Sequence, residues 1–447
     1  MSNVGHVLSS SPDKVSIGID NLKTLEENKT DLQVGKFLKI EDGNHNYAVA
    51  IINNLTAQKS EKDGDLQWSF VIEASPIGAL ISNGDSLEFK RGTQVLPVPT
   101  EIAHTFDTED LSIIFSENRD FGLKIASLSG NSTVPFCIDG NKFFGKHIGV
   151  VGSTGSGKSC AVASLIQNAV GISNAKNSNK NNQKNSHVVL FDIHSEYASA
   201  FTIDNDENFN LNKLDIDNIN LPYWLMNAEE LESIFIESND QNSHNQVSQF
   251  KQAVILNKEK HNPDLHKVTY DSPVFFSIEE VYNYIYNKNN LTVYEKNSKK
   301  YLATLDKEIE FKEEFLWKKI NFLSSTGNGK NKDIDAKISK DGGFNGEFDR
   351  FISRLETKLN DNRLAFLMNP VKGDGTAFKT NDFNEVIKQF FGYLDRSNVT
   401  VVDLSGVPFE VLSITVSLIS RLMFDFAFHY SKIRHLFWST KPDTLIC

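Results

Sequence analysis

Gly152-Ser153-Thr154-Gly155-Ser156-Gly157-Lys158-Ser159 matches G-x-x-x-x-G-K-[ST] at every fixed position. The run before it, His147-Ile148-Gly149-Val150-Val151, reads as a buried strand. Residues 160–170 read as a helix with Val162, Leu165, Ile166 and Ala169 on one face. Strand, glycine-rich loop and helix in that order form the setting in which the pattern holds phosphate. The alternative is a glycine-rich turn with no ligand, and both flanking elements weigh against it.

The chemistry follows from the residue types. Gly152, Gly155 and Gly157 let the backbone curl so that its N–H groups point at a phosphate chain. Ser153, Thr154, Ser156 and Cys160 complete the cradle, and the helix N-terminus adds partial positive charge. Lys158 would reach the β- and γ-phosphates, and the Ser159 hydroxyl would hold Mg²⁺. The sequence predicts an α/β P-loop protein that binds ATP with Mg²⁺.

Composition sets the bounds. A chain of 447 residues has room for two or three domains. Its 46 Lys+Arg against 58 Asp+Glu give a net charge of -12, which argues against an all-over nucleic-acid footprint but leaves room for a local basic channel. Three scattered cysteines suit a reducing cytoplasm and neither a disulfide framework nor a zinc cluster. No membrane segment is expected, because residues 407–428 are interrupted by Glu410, Arg421 and Asp425 and read as a buried amphipathic helix.

Residues 1–130 alternate apolar and polar in short runs (Val15, Ile17 and Ile19; 37–40; 47–52; 68–72) between polar turns at 41–44 and 62–65, predicting a small β-barrel or sandwich. Residues 131–203 hold the first part of the ATPase core, and the polar tract 174–186 within them reads as a solvated loop. A second apolar strand, 187–191, ends in Asp192-Ile193-His194-Ser195-Glu196-Tyr197. Carboxylates at the carboxyl end of such a strand can reach a γ-phosphate and its attacking water. Glu196 is the candidate for orienting that water and Asp192 for the outer sphere of Mg²⁺; solubilising the strand end or capping the next helix is the plainer alternative. His194 has no partner at ligand spacing and reads as structural.

Residues 204–380 read as a helical insertion, with helices expected at 223–235, 247–258, 278–286, 302–320 and 348–359 and a mobile break at 324–346. Thr326-Gly327-Asn328-Gly329-Lys330 imitates a phosphate loop, but Ser324 and Asn331 stand at two of the fixed positions. Residues 381–434 return to the core: a helix at 383–394, then a third strand, Val399-Thr400-Val401-Val402-Asp403, whose terminal Asp403 is a further candidate metal ligand. A long helix follows with Leu412, Val416, Ile419, Met423 and Phe426 on one face, and residues 435–447 continue neither helix nor strand.

Together, the 152–159 loop, Asp192-Ile-His-Ser-Glu196-Tyr197, Val399-Thr-Val-Val-Asp403-Leu-Ser-Gly406 and Arg421-Leu-Met-Phe-Asp-Phe resemble the HerA-type ATPases. The resemblance implies the barrel for residues 1–130, a RecA-like core and a homo-hexameric ring that translocates double-stranded DNA and serves a partner nuclease or a phage-defence effector. It also implies an acidic pair on a further strand, so that Asp403 is not the principal metal residue, and an arginine finger where this chain has Lys146. Neither the pair nor its strand follows residue 434, and with assumed codons a shifted reading frame of the tail can spell an apolar strand running into that motif. The expectation is a frameshifted or truncated member: an active DNA translocase, or a nucleotide-binding scaffold with weak turnover. A transport ATPase is the third class, disfavoured by the lack of a visible membrane anchor.

Overall fold

The computed structural model describes residues 2–437 apart from 20, 43–45, 63–64, 85, 93–95, 116–121, 130, 171–186, 203–209, 237–242, 306–307, 343, 345 and 392–396. The 174–186 tract and residues 438–447 therefore lie outside the described residues. The chain divides into two compact units, Met1–Lys184 and Asn185–Cys447.

The first unit is built on the expected barrel. Strands β1 (Asn3–Ser10), β2 (Val15–Ile19), β3 (Phe37–Glu41), β4 (Tyr47–Lys62), β5 (Asp65–Asn83), β6 (Ser86–Arg91) and β7 (Ile102–Thr105) pair in the order β2-β1-β7-β3-β4-β5-β6. Pairing of β5 back onto β2, Val15 against Ala74 through Ile19 against Phe70, closes six of them into a barrel with β6 hung on β5. Closure needs strongly coiled strands, and register shifts in β4 at Val49/Ala50 and Ile52/Asn54 supply the bends. Val15, Ile17, Ile19, Leu38, Ile40 and Ile72 fill the interior.

On β3 the neighbour of Leu38 and Ile40 is Lys39, which points the opposite way yet is fully buried. The helix Thr108–Phe115 supplies its partner: Lys39 Nζ donates to Asp110 Oδ2 at 2.5 Å. This helix and the antiparallel hairpin β8 (Gly122–Leu128) and β9 (Asn131–Asp139) follow the barrel.

Residues 147–151 depart from expectation. They form no strand, and Ile148, Val150 and Val151 are exposed, Val151 at 93%. A strand exists only by exchanging backbone hydrogen bonds with a neighbour; among the described residues the hairpin β8–β9 pairs only with itself.

In the second unit β10 (Val188–Asp192), β11 (Asn210–Leu214) and β16 (Ser397–Asp403) form a parallel sheet in the order β10-β16-β11. The fully buried Val399, Val401 and Val402 suit its central strand. Helices Ala228–Phe235, Ser243–His261, Ile278–Asn290 and Asp349–Leu359 contribute to a core that includes Trp224, Phe235, Phe250, Phe276 and Phe351. Asn227 and Glu230 form a capping box at the first of these, and Glu230 Oε2 also accepts from Arg421 at 2.7 Å.

The insertion is not purely helical. Strands β12 (Thr292–Lys296), β13 (Lys299–Leu302), β14 (Ile309–Glu310) and β15 (Ser339–Lys340) form a small antiparallel sheet in the order β14-β13-β12-β15. Residues 302–320, expected as a helix, instead supply the end of β13, β14 and a 3-10 turn, Glu313–Trp317. Asn287 is the reason: its side chain donates to Leu316 O and Lys318 O (2.7 Å each) and accepts from Ile320 N–H, satisfying backbone groups a helix would otherwise have paired. The 324–346 break is also pinned, by the fully buried Ile338 and by Asn289 Oδ1, which accepts from Gly346 N–H and Phe348 N–H.

The last helix runs Phe409–Phe437, so residues 435–437 continue it, contrary to expectation. Its stretch Phe409–Tyr430 is long and apolar enough to cross a membrane by length and composition. Val411, Ile414, Leu418, Ile419 and Leu422 pack into the core, as in a core helix. The opposite face is less polar than an amphipathic reading predicts: Phe424, Phe428 and Tyr430 are exposed, with Phe424 stacked on Phe428.

Lys258, in the helix Ser243–His261, has its side chain fully buried. Its ammonium donates to Tyr270 O and Ser272 O at 2.6 Å each and lies over the Phe276 ring. Burial pushes its pKa down to about 8, with Asp271 opposing. Between that value and the ordinary lysine range the unfolded chain keeps a proton that the folded chain has released, so stability rises with pH there. Denaturant titrations should show the wild-type chain gaining about 2 kcal/mol on Lys258→Met between pH 7.5 and 9.5; a pH-independent difference would contradict the shift.

Candidate nucleotide-binding site

The phosphate loop belongs to the first unit. The short helix Gly140–Phe144, capped by Asp139, turns the chain out of the β8–β9 hairpin toward it. Gly155 and Gly157 adopt φ of +79° and +86°, a region that side chains with a Cβ rarely enter. At Gly152 the demand is space, because a Cβ would stand 2.5 Å from Ser156 Oγ. Gly155 and Gly157 are thus favoured by backbone conformation, and at Gly152 a Cβ would force the Ser156 hydroxyl to move.

The helix Lys158–Val170 opens directly from the loop, and its first full turn is closed by Ala161 N–H donating to Gly157 O at 2.9 Å. The first N–H groups of an α-helix have no acceptor within the helix, which makes such an end receptive to an anion. Ser156 N–H donates to Ser153 O, tightening the curl. Lys158 Nζ folds back to the same carbonyl at 2.9 Å, which puts a cation against the loop. Two left-handed glycines, a helix start and a folded-back ammonium form a cradle whose chemistry fits a polyphosphate. The helix packs on β8 through a face rotated slightly from expectation: Ala163, Ile166, Ala169 and Val170 are buried, while Val162 and Leu165 are half-buried.

Cys160, in the first turn of this helix, is an exposed free thiol. Mg-ATP in the cradle should therefore slow its alkylation by a maleimide at least fivefold or so, by steric cover of the helix start. Site-resolved mass spectrometry checks this, with Cys137 as the internal reference.

The second unit carries the acidic candidates at the carboxyl edge of its parallel sheet. Asp192 and Asp403 end β10 and β16 and pair in register. Asp192 is buried, and its carboxylate accepts the N–H groups of His194 (3.3 Å), Glu196 (3.2 Å) and Tyr197 (2.9 Å). It thereby shapes the turn that carries Glu196, which is exposed. The His194 side chain is exposed, and its backbone N–H is one of the three donors to Asp192.

Asp403 Oδ2 accepts from Ser195 Oγ at 2.7 Å and has Lys213 Nζ of β11 at 3.5 Å. Its Oδ1 accepts the hydroxyl and the N–H of Ser405 (2.7 and 3.1 Å). Burial pushes the Asp403 pKa up, but the Ser195 and Ser405 donors and Lys213 together outweigh it and hold the carboxyl below its usual range. Ser195, Ser405 and Lys213 were not picked out from sequence. Asp403-Leu404-Ser405 has the form of an Asx turn and was legible; Ser195 and Lys213 come to Asp403 only through strand pairing.

Among the described residues no group of three or more His, Cys, Asp or Glu could hold a metal ion. Mg²⁺ does not require such a group, since it commonly takes one or two protein ligands and completes its octahedron with phosphate oxygens and water. Ser159 offers one such oxygen at the helix start.

No curated protein matches the chain. The family model for the central domain of helicase HerA matches residues 123–357, just over half of the 447 residues, and includes the phosphate loop and the Asp192–Tyr197 turn. Sequence pattern, loop geometry and family match agree, and the chain belongs to the HerA family of P-loop ATPases.

Proposed function

We propose that this chain is an ATP-hydrolysing subunit of a DNA translocase with a RecA-like core. The carrying observation is the phosphate loop, with Gly155 and Gly157 in the left-handed region and Lys158 folded against it, in a chain of the HerA family. The reaction is attack of water on the γ-phosphate of ATP, for which positioning and charge neutralisation provide most of the rate. Lys158 would leave Ser153 O for the phosphates, the loop amides would hold the β-phosphate, and Glu196 would orient the attacking water. The Ser159 hydroxyl would hold Mg²⁺, with Asp192 the proposed outer-sphere residue, and the ion would supply further neutralisation of phosphate charge.

Double-stranded DNA is the polymer this reading assigns, within a homo-hexameric ring in the cytoplasm beside a nuclease or defence effector. Because net charge is -12, DNA contact would be confined to a local basic lining, not the whole surface. Steady-state phosphate release with and without linear duplex DNA tests the reading. DNA-stimulated turnover supports it, and turnover indifferent to duplex DNA removes the translocase part.

One observation favours a second reading, a nucleotide-binding scaffold with weak turnover. Asp192 and Asp403 spend their carboxylate oxygens on the chain's own donors, which limits what they offer to a metal. Nucleotide binding without measurable phosphate release would select it.

A further inference from the structure

We propose that Ser195 and Asp403 form a tether between adjacent strands that fixes the 193–197 turn and so positions Glu196. Its catalytic meaning rests on the ATPase reading above; the tether itself does not. Asp192 organises the turn from within, by accepting three of its N–H groups. At the middle of the turn Ser195 sits at φ +56°, a left-handed conformation unfavourable for a residue with a Cβ. Nothing in Asp192's bonds holds that residue's side chain. The Ser195 hydroxyl reaches Asp403 Oδ2 instead, at 2.7 Å.

Asp403 is in turn immobilised. Ser405 holds its other oxygen twice, and Lys213 approaches Oδ2 from β11. In-register pairing of Asp192 with Asp403, continued by Leu404 N–H donating to Asp192 O at 2.7 Å, brings the two strand ends close enough for one hydroxyl to bridge them. Three strands thus converge on one carboxylate, and that carboxylate anchors the residue next to Glu196. On this assignment Asp403 acts through Glu196 as a positioning residue and not as a metal ligand.

The test is hydrogen exchange by mass spectrometry on the full chain, with phosphate release alongside. In Asp403→Ala and in Ser195→Ala the amides of 194–197 should exchange about tenfold faster, the expected effect of losing one charge-assisted hydrogen bond. The helix Phe409–Tyr430 serves as the unaffected reference. Asp403→Asn, which keeps one carbonyl oxygen as an acceptor, should fall between, and it guards against misfolding of the alanine variant. In turnover, both alanine variants should lower kcat about tenfold with KM for ATP unchanged, and adding either to Glu196→Gln should cause no further loss. Wild-type exchange at 194–197 in both alanine variants overturns the tether. Losses additive with Glu196→Gln overturn its action through Glu196. A wild-type chain that releases no phosphate removes the ATPase reading alone, and the exchange result still decides the tether.

Discussion

Lys158→Ala is expected to lower ATP turnover about 10²- to 10³-fold, the usual cost of removing one preorganised group aimed at developing phosphate charge. The size follows from where the residue stands. Lys158 opens the helix Lys158–Val170, so its ammonium acts beside the positive end of the helix and against the loop that curls on Gly155 and Gly157. The bond it makes in the structure is to Ser153 O, an exposed contact whose loss costs the fold little. Circular dichroism should therefore be unchanged while calorimetry shows weaker binding of Mg-ATP. Lys158→Arg separates charge from shape: the planar guanidinium keeps the charge but cannot take the ammonium's compact position, so binding should return further than turnover. Wild-type turnover in Lys158→Ala would mean that the hydrolysis arises elsewhere.

Asp110→Ala is expected to destabilise the first unit by about 3–5 kcal/mol, because it strands a buried ammonium. Lys39 is fully buried, and Asp110, 4% exposed, is its partner at 2.5 Å. Asp110 Oδ2 also accepts Asp107 N–H, and Asp107 Oδ1 accepts Asp110 N–H, so the carboxylate ends up holding both the helix start and the barrel. Desolvation raises the Asp107 pKa, but the Asp110 hydrogen bonds and the Lys39 charge outweigh it and leave the carboxyl below its ordinary range. Removing both charges with Lys39→Met and Asp110→Leu should recover most of the loss, since a well-packed apolar pair is often as stable as a buried ion pair. Denaturant unfolding of the three chains checks this, and a double variant no more stable than Asp110→Ala alone would rule out the stranded-charge explanation.

Sequence alone determined the features that depend on near neighbours. The spacing of Gly152, Gly155, Gly157 and Lys158 specifies the loop, since each glycine answers a dihedral or a clash within a few residues of itself. Alternation at Val15, Ile17 and Ile19 marked a barrel strand for the same reason: a period of two is a local property. Tertiary structure decided the rest. Residues 147–151 carry strand-forming side chains but form no ladder, because pairing needs a neighbour that no local pattern supplies. Residues 302–320 gave up a helical pattern because Asn287, on another element, satisfies their backbone. Lys39 alternates with Leu38 and Ile40 and so points away from the barrel interior, and the Thr108–Phe115 helix buries it there. Asp403, legible as an acidic strand end, became the hub for Ser195 and Lys213 through parallel pairing between segments roughly two hundred residues apart in the chain, and register at that range is set by packing of the whole sheet and not by any stretch of sequence.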